Sequence, residues 1–257
     1  NIPCLPKTAW PSDLHTLLDG YNDGRRKTFY CTAVALLDLD AIRDVVPEHK
    51  EEQIQDVFYS FLELEHLYDS AIELVKTQLN IFDNEFSMRF QRNPIHNIES
   101  RIKTPQSIVG KLQRKGMPVT PESARNNLTD IAGVRVICCY IDDIYAIADL
   151  LTDHSAFQLR KIKDYIKNPK PNGYRSFHMI LDVPVYMSNG KEIAPVEIQI
   201  RTIAMDFWAS LEHQLHYKST GDPKIAASLT GELKECSETI SGIDQKMQDM
   251  FKKINLL

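Results

Sequence analysis

Residues 176–201, SFHMILDVPVYMSNGKEIAPVEIQIR, decide the fold of this 257-residue chain. Ser176 to Met187 is dense in apolar and β-branched residues and reads as a strand. Ser188-Asn189-Gly190 is hairpin chemistry, and Val196 to Arg201 returns as a second strand. In that return Glu197 and Gln199 are two apart and share one sheet face, while Val196 and Ile198 share the other.

Upstream, Gly133 to Ile141 (GVRVICCYI) is short, apolar and β-branched, as a buried strand is. Asp142 and Asp143 then open a helical pattern through Ile144, Ile147, Leu150 and Leu151, with the acids where the helix dipole favours them. Phe157 to Ile166 alternates as a strand, and Pro169-Lys170-Pro171-Asn172-Gly173 is a turn. A helix is expected from Ile203 to Lys218. This order argues for an α/β (α+β) fold, a mixed sheet covered by helices, and against a repeating βαβ barrel.

The flanks are helical. From Ile54 to Phe86 apolar residues recur at three- and four-residue steps, predicting a long amphipathic helix with a break near Asn80 and an end at Pro94. Residues 1–30, rich in Pro, Asp, Asn and Gly, read as an irregular lead-in. From Leu229 to Leu257, apolar residues alternate steps of four and three through Leu233, Cys236, Ile240, Ile243, Met247, Met250 and Ile254. Such a stripe suits a partner helix, with docking on the chain's own domain as the alternative. Three segments follow: a lead-in and helical region over 1–92, a central domain over 93–218, and an oligomerisation helix over 219–257.

Composition narrows the class. With 43% apolar and 25% charged residues and a net charge of −5, the chain is an ordinary globular protein. No apolar run approaches the ~18 residues of a membrane span. The first residues mix Pro, Lys, Trp and Asp, so no secretory leader is expected. Five cysteines without CxxC spacing (Cys4, Cys31, Cys138, Cys139, Cys236) read as free thiols of a reducing cytoplasm. The net acidity hides two basic segments. Residues 89–115 hold seven Lys or Arg against Glu99, and residues 160–175 hold six against Asp164. That segregation points to a local polyanion site, or to solvated faces.

Four polar clusters carry chemistry. If Pro105 starts a helix, Ser107, Lys111, Arg114 and Lys115 follow Arg101 and Lys103 as a row of donors suited to a triphosphate. Asp130 precedes the strand that holds Arg135, and Glu197-Ile198-Gln199 lies in the last strand. Two carboxylates on adjacent strands suit Mg²⁺, which takes one or two of them plus phosphate oxygens. Spacing alone does not bring Asp130 and Glu197 together. Finally, the run from Lys163 through Lys170, Asn172, Gly173, Tyr174 and Arg175 to His178 offers an aromatic for a purine and cations for phosphates.

Taken together, Arg101-Ile-Lys103…Ser107…Lys111, Asp130-Ile-Ala-Gly-Val-Arg135, Lys170-x-Asn172-Gly173-Tyr174-x-Ser176-x-His178 and Glu197-Ile-Gln-Ile-Arg201-Thr202 resemble the RelA/SpoT alarmone synthetase family. The resemblance runs from Arg101 to Lys218. The chain has no His-Asp dipeptide of the kind that marks the family's hydrolase domain, so it looks like a small, synthetase-only member. The resemblance implies a nucleotidyltransferase-like fold with a five-stranded mixed sheet. It implies transfer of the β,γ-diphosphate of ATP to the 3′-hydroxyl of GDP or GTP, and possible use of GMP, in the stringent response. By similarity Arg101, Lys103, Ser107, Lys111 and Arg135 hold ATP, with Arg114 and Lys115 beside them. Asp130 and Glu197 hold Mg²⁺, and Glu197 is the candidate general base. Tyr174 stacks on guanine. Lys163, Lys170, Asn172, Arg175, His178 and Gln199 hold the acceptor, with Ala209 beside the base.

Some small tetrameric members carry an aromatic and a Thr-Gly that help bind product as an activator. This chain reads Asn97-Ile98-Glu99-Ser100 there, which argues against product activation. A homo-oligomer, a tetramer above all, is expected in the cytoplasm, with no membrane partner and no clear sign of RNA binding. Two competing readings are a toxin that transfers pyrophosphate to the 3′ end of tRNA, and a silent guanine-nucleotide sensor.

Overall fold

The computed structural model describes residues 51–218 and 223–254. The expected lead-in and Leu257 of the C-terminal stripe lie outside the described residues. Eleven elements follow in order: α1 (Glu51–Phe90), β1 (Ile95–Ile102), α2 (Pro105–Arg114), α3 (Pro121–Asn127), β2 (Ala132–Cys138), α4 (Ile141–Asp153), β3 (Gln158–Asp164), β4 (Phe177–Met187), β5 (Gly190–Thr202), α5 (Ile203–Lys218) and α6 (Pro223–Ile254). Among the described residues the chain falls into two compact units, 51–65 with 103–128, and 66–102 with everything from Thr129.

The second unit holds a five-stranded sheet in the order β1-β2-β5-β4-β3. Only β2 and β5 run parallel; the other neighbours are antiparallel. The mixed sheet expected from the sequence is therefore present. β4 and β5 form a long hairpin closed between Met187 and Gly190, so β5 starts six residues before the expected Val196. Along β5 the side chains sort by face. Val196, Ile198 and Ile200 are fully buried, joined by Val134, Val136, Met179 and Leu181 and by Ile144, Ile147 and Leu151 of α4. Each such side chain contributes ~1.5–3 kcal/mol by leaving water. The opposite face is polar, and it carries the site.

Two local expectations are corrected. α1 is continuous past Asn80, because Tyr68, Ala71, Ile72, Val75, Leu79 and Phe82 keep one unbroken buried stripe. It ends at Phe90, not at Pro94: Gln91 turns into the left-handed region at φ 53°. Asp83 ties the exit down, accepting hydrogen bonds from the Ile95 amide (3.0 Å) and the Asn93 side chain (2.6 Å). β1, over which the sequence pattern marked no element, has no apolar alternation. Its sequence IHNIESRI is mostly exposed because it is an edge strand.

α6 docks in a way its heptads do not foretell. Ser237, Asp244 and Gln248 are the buried residues of its inner face, and Thr202 Oγ1 donates to Asp244 at 2.6 Å. Gln248 accepts from the Asp142 amide at 2.9 Å, and Phe251 stacks on Tyr140 with ring centroids 4.2 Å apart. The heptad residues Ile243, Met247, Met250 and Ile254 stay 48–70% exposed. The helix rests on its own domain through a polar face and turns its apolar stripe outward.

Candidate active site

The strand register assembles the site. Glu197 of β5 sits opposite Gly133 of β2, and Gln199 sits opposite both Arg135 of β2 and His178 of β4. On the edge strand Arg101 pairs with Gly133 and Glu99 with Arg135; on the far side Lys163 pairs with His178. Residues directly opposite in a sheet share a face, so this register places seven polar side chains on one surface. Arg101, Asp130, Gly133, Arg135, Glu197 and Gln199 line an open groove of about 500 Å³ there. Gly133 keeps the floor open beside Glu197, and the Arg101 side chain runs across it.

A closed ring of side chains stands next to the groove. Gln199 Nε2 donates to Glu197 Oε2 at 3.1 Å, and Arg201 Nη2 donates to Gln199 Oε1 at 3.0 Å. The same Arg201 nitrogen donates to the Tyr174 hydroxyl at 2.6 Å. That hydroxyl lies 2.8 Å from His178 Nε2, and His178 Nδ1 lies 3.6 Å from Glu197 Oε1. Arg201 is 4% exposed and also reaches Ser176 Oγ (3.3 Å) and Asp206 (3.0 Å). Asp206 stands 3.5 Å from Arg135, which donates to Glu99 at 3.1 Å. The guanidinium of Arg135 is thereby aimed from both sides.

His178 holds the Glu197 carboxyl below the usual carboxylate range, helped by the Gln199 amide, while burial and the negative charge of Asp130 push the other way. Glu197 is therefore ionised at neutral pH. It also feels Asp130, so these two carboxylates, 67 positions apart, work at one place. Their hard oxygens suit a small divalent cation. Among the described residues no group of three or more His, Cys, Asp or Glu is placed to hold a metal ion.

Of the residues expected at the acceptor, Lys170, Asn172 and Tyr174 lie together on the segment before β4. The Asn172 carbonyl accepts from the Tyr174 amide (3.2 Å), and its amide donates to Glu212 of α5 (3.2 Å). Lys170 Nζ lies 4.6 Å from the Tyr174 ring centroid and 4.9 Å from that of Tyr165. Two expected acceptor residues stand elsewhere. Arg175 donates to the Ile166 carbonyl (2.9 Å) and lines a small cavity with Trp208, Ser237 and Asp244, which shares no residue with the groove. Ala209 is buried at 8% exposure on α5, which leaves little surface for a base. Sequence reasoning quoted Arg201 and Ser176 without a role and passed over Glu99, Asp206 and Glu212. Arg201, two residues beyond Gln199 on the same face, carried the one signal able to find it.

Of the residues expected at ATP, Lys103, Ser107, Lys111, Arg114 and Lys115 belong to the first unit, and Arg101 and Arg135 to the second. Thr104 caps α2, its hydroxyl accepting from the Ser107 amide at 3.3 Å. Ile108 and Leu112 face inward, whereas Ser107 and Arg114 are exposed and Lys111 is half-buried. Lys115 is the C-terminal cap and donates to the Asn127 carbonyl at 3.3 Å. Ser107, Lys111 and Arg114 thus fall within α2 at spacings of four and three, and Lys115 lies just past its end.

Residues 100–222 match the family model described as the region found in RelA / SpoT proteins. The chain is 40% identical over 222 residues to the GTP pyrophosphokinase YwaC of Bacillus subtilis, covering 86% of this chain and 99% of that one. The chain belongs to the RelA/SpoT family. Small alarmone synthetase 2 of Bacillus subtilis superposes with a TM-score of 0.64 at 45% identity, over 72% of this chain and 96% of that one. Small alarmone synthetase 1 of the same organism, bound to its product pppGpp, superposes with a TM-score of 0.65 at 33% identity, over 73% and 94%. These RelA/SpoT synthetases share the mixed five-stranded sheet and its flanking helices. No described helix of this chain is long and apolar enough to cross a membrane.

Proposed function

We propose that this RelA/SpoT chain is a GTP pyrophosphokinase that moves the β,γ-diphosphate of ATP to the 3′-hydroxyl of GDP or GTP, yielding ppGpp or pppGpp and AMP. The observation that carries this reading is the ring around Glu197, which holds an ionised carboxylate beside Asp130 in a groove lined by Arg101 and Arg135. Asp130 and Glu197 would hold Mg²⁺, which supplies charge neutralisation on the transferring phosphates. Arg101, Lys103, Ser107, Lys111, Arg114, Lys115 and Arg135 are assigned to ATP. Tyr174 is assigned to the guanine, and Lys163, Lys170, Asn172, His178 and Gln199 to the rest of the acceptor.

The chemistry is one substitution at the β-phosphorus. A bond from the 3′-oxygen forms, the bond to the α-phosphate oxygen breaks, and AMP leaves with the electron pair. The 3′-hydroxyl proton goes to Glu197 or solvent. A carboxyl held below its ordinary range is a weak proton acceptor, so Glu197 acts more through charge and position than as a base. Phosphoryl transfer tolerates this, since positioning and electrostatics supply most of its acceleration. Lys170 and a guanine compete for the Tyr174 ring, so stacking of the base releases the ammonium toward the phosphates.

The reading includes self-association in the cytoplasm. Ile243, Met247, Met250 and Ile254 form an exposed stripe at heptad spacing, which suits α6 of a second copy. A tetramer is expected, measured by light scattering, and Met247→Glu is expected to shift it to smaller species.

The deciding experiment uses ATP labelled at the γ-phosphate with Mg²⁺ and, separately, GMP, GDP, GTP or bulk tRNA. Labelled guanosine product with stoichiometric AMP is expected. Label on tRNA alone, or transfer to no acceptor, overturns the proposal.

A further inference from the structure

The acceptor turn does not stand by itself. Gly173 closes the turn, its amide donating to the Lys170 carbonyl at 2.8 Å; it is buried and has φ +90°, a conformation side chains rarely adopt. A Cβ at this position would fall 2.7 Å from the Cβ of Ser237 and 3.1 Å from the Cα of Lys234, both on α6. Ser237, 64 residues downstream and 4% exposed, donates its hydroxyl to the Gly173 carbonyl at 2.5 Å. One turn earlier the Leu233 carbonyl accepts from Trp208 Nε1 at 2.9 Å, and the Trp208 ring stands edge-on to Tyr174 with centroids 6.5 Å apart. The C-terminal helix thus touches the turn at its one glycine and braces the aromatic behind Tyr174.

We infer that α6 is a wall of the acceptor site and that Ser237 is a positioning residue, setting affinity for the guanine nucleotide by holding the Asn172-Gly173-Tyr174 turn. The inference rests on the acceptor assignment above. The physical case is direct. A buried carbonyl at the end of a turn needs a partner, and here the donor is a short side chain on a separate helix. The close approach that excludes a Cβ at Gly173 leaves the turn little room to move while α6 is seated. Tyr174, next in the chain, enters the ring to His178 and Arg201 from that fixed point. Motion of the turn therefore reaches the acceptor side first, whereas Arg101 and Asp130 in the groove are untouched by it.

The test uses the full chain with Ser237→Ala, which removes one hydroxyl and adds nothing. Loss of one such hydrogen bond predicts a rise of ~5-fold in KM for GDP, with KM for ATP and kcat within about twofold of the parent. Ser241→Ala, on the same helix and lining the same small cavity as Arg175, is expected to leave both KM values alone. Melting temperature is followed in parallel. An unchanged KM for GDP overturns the inference, and so does a matched rise in both KM values with lowered melting temperature, since that is a purely structural effect. Should the parent transfer nothing to any acceptor, the functional reading fails instead. GDP affinity of parent and variant by calorimetry then decides the positioning role separately.

Discussion

The ring on β5 and the row on α2 offer the same kind of chemistry, polar groups for phosphates and sugars, in two opposite physical states. In the ring, Glu197, Gln199, Arg201, Tyr174 and His178 each touch the next, and Arg201 is almost fully buried. On α2, Ser107 and Arg114 are exposed, and only the helix face aligns them. Groups held in advance lose little freedom when substrate arrives, whereas exposed long side chains must be ordered at that moment. The ring is preorganised before any ligand arrives, whereas the exposed groups on α2 are not.

The sharpest way to break this contrast is to remove the carboxylates. Glu197→Gln and Asp130→Asn are each expected to lower kcat by at least ~10³-fold with folding intact, measured by AMP release at saturating Mg²⁺. Normal rates in Glu197→Gln would remove the ring from catalysis altogether. Next comes a pair of single changes. Tyr174→Phe keeps the aromatic face but cuts the link between His178 and Arg201, and should cost ~10-fold in kcat/KM for GDP. Arg114→Ala on the exposed row should raise KM for ATP only ~2–3-fold.

Coupling sharpens the contrast further. Within the ring, Tyr174→Phe and Gln199→Ala should combine non-additively, by ~1 kcal/mol or more, because both act through Arg201. Tyr174→Phe with Arg114→Ala should be additive within about 0.5 kcal/mol. Additive ring mutations would show independent contacts in place of a unit.

The smallest effect is on pH. Glu197's carboxyl is held below its ordinary 4.5, so it contributes stability above that value and the contribution is lost as pH falls through the lowered folded-state pKa. Parent and Glu197→Gln melting curves should converge toward acid. Asp244 has the opposite sign: burial raises its carboxyl above 3.8, and Thr202's hydrogen bond only partly offsets this. Its ionisation costs stability as pH rises past that range, so Asp244→Asn should gain on the parent between pH 4 and 7, by calorimetry.

β2, α4, β4 and β5 were legible in the sequence because each buries an apolar face with its own period, and the edge strand β3 showed through its alternation alone. β1 was not, since this edge strand exposes most of its residues and has no period to read. The α6 stripe was visible as a pattern, yet the face that seats the helix is made of Ser237, Asp244 and Gln248, which no hydrophobic count selects. Among site residues, the type of each group was readable, but the hydrogen bond of Arg175 to the Ile166 carbonyl and the burial of Ala209 by helix packing were not.

By itself the sequence determined the strands with a polar and an apolar side, the basic row on one helix face, and the residues that mark the RelA/SpoT family. Those properties live within single elements, where neighbours in the chain are neighbours in space. The tertiary structure alone decided that Asp130 meets Glu197, that Arg201 closes the ring, and that a C-terminal serine braces Gly173. Those meetings depend on strand register and helix docking, set by the burial of an apolar face shared among many residues and written at no single position.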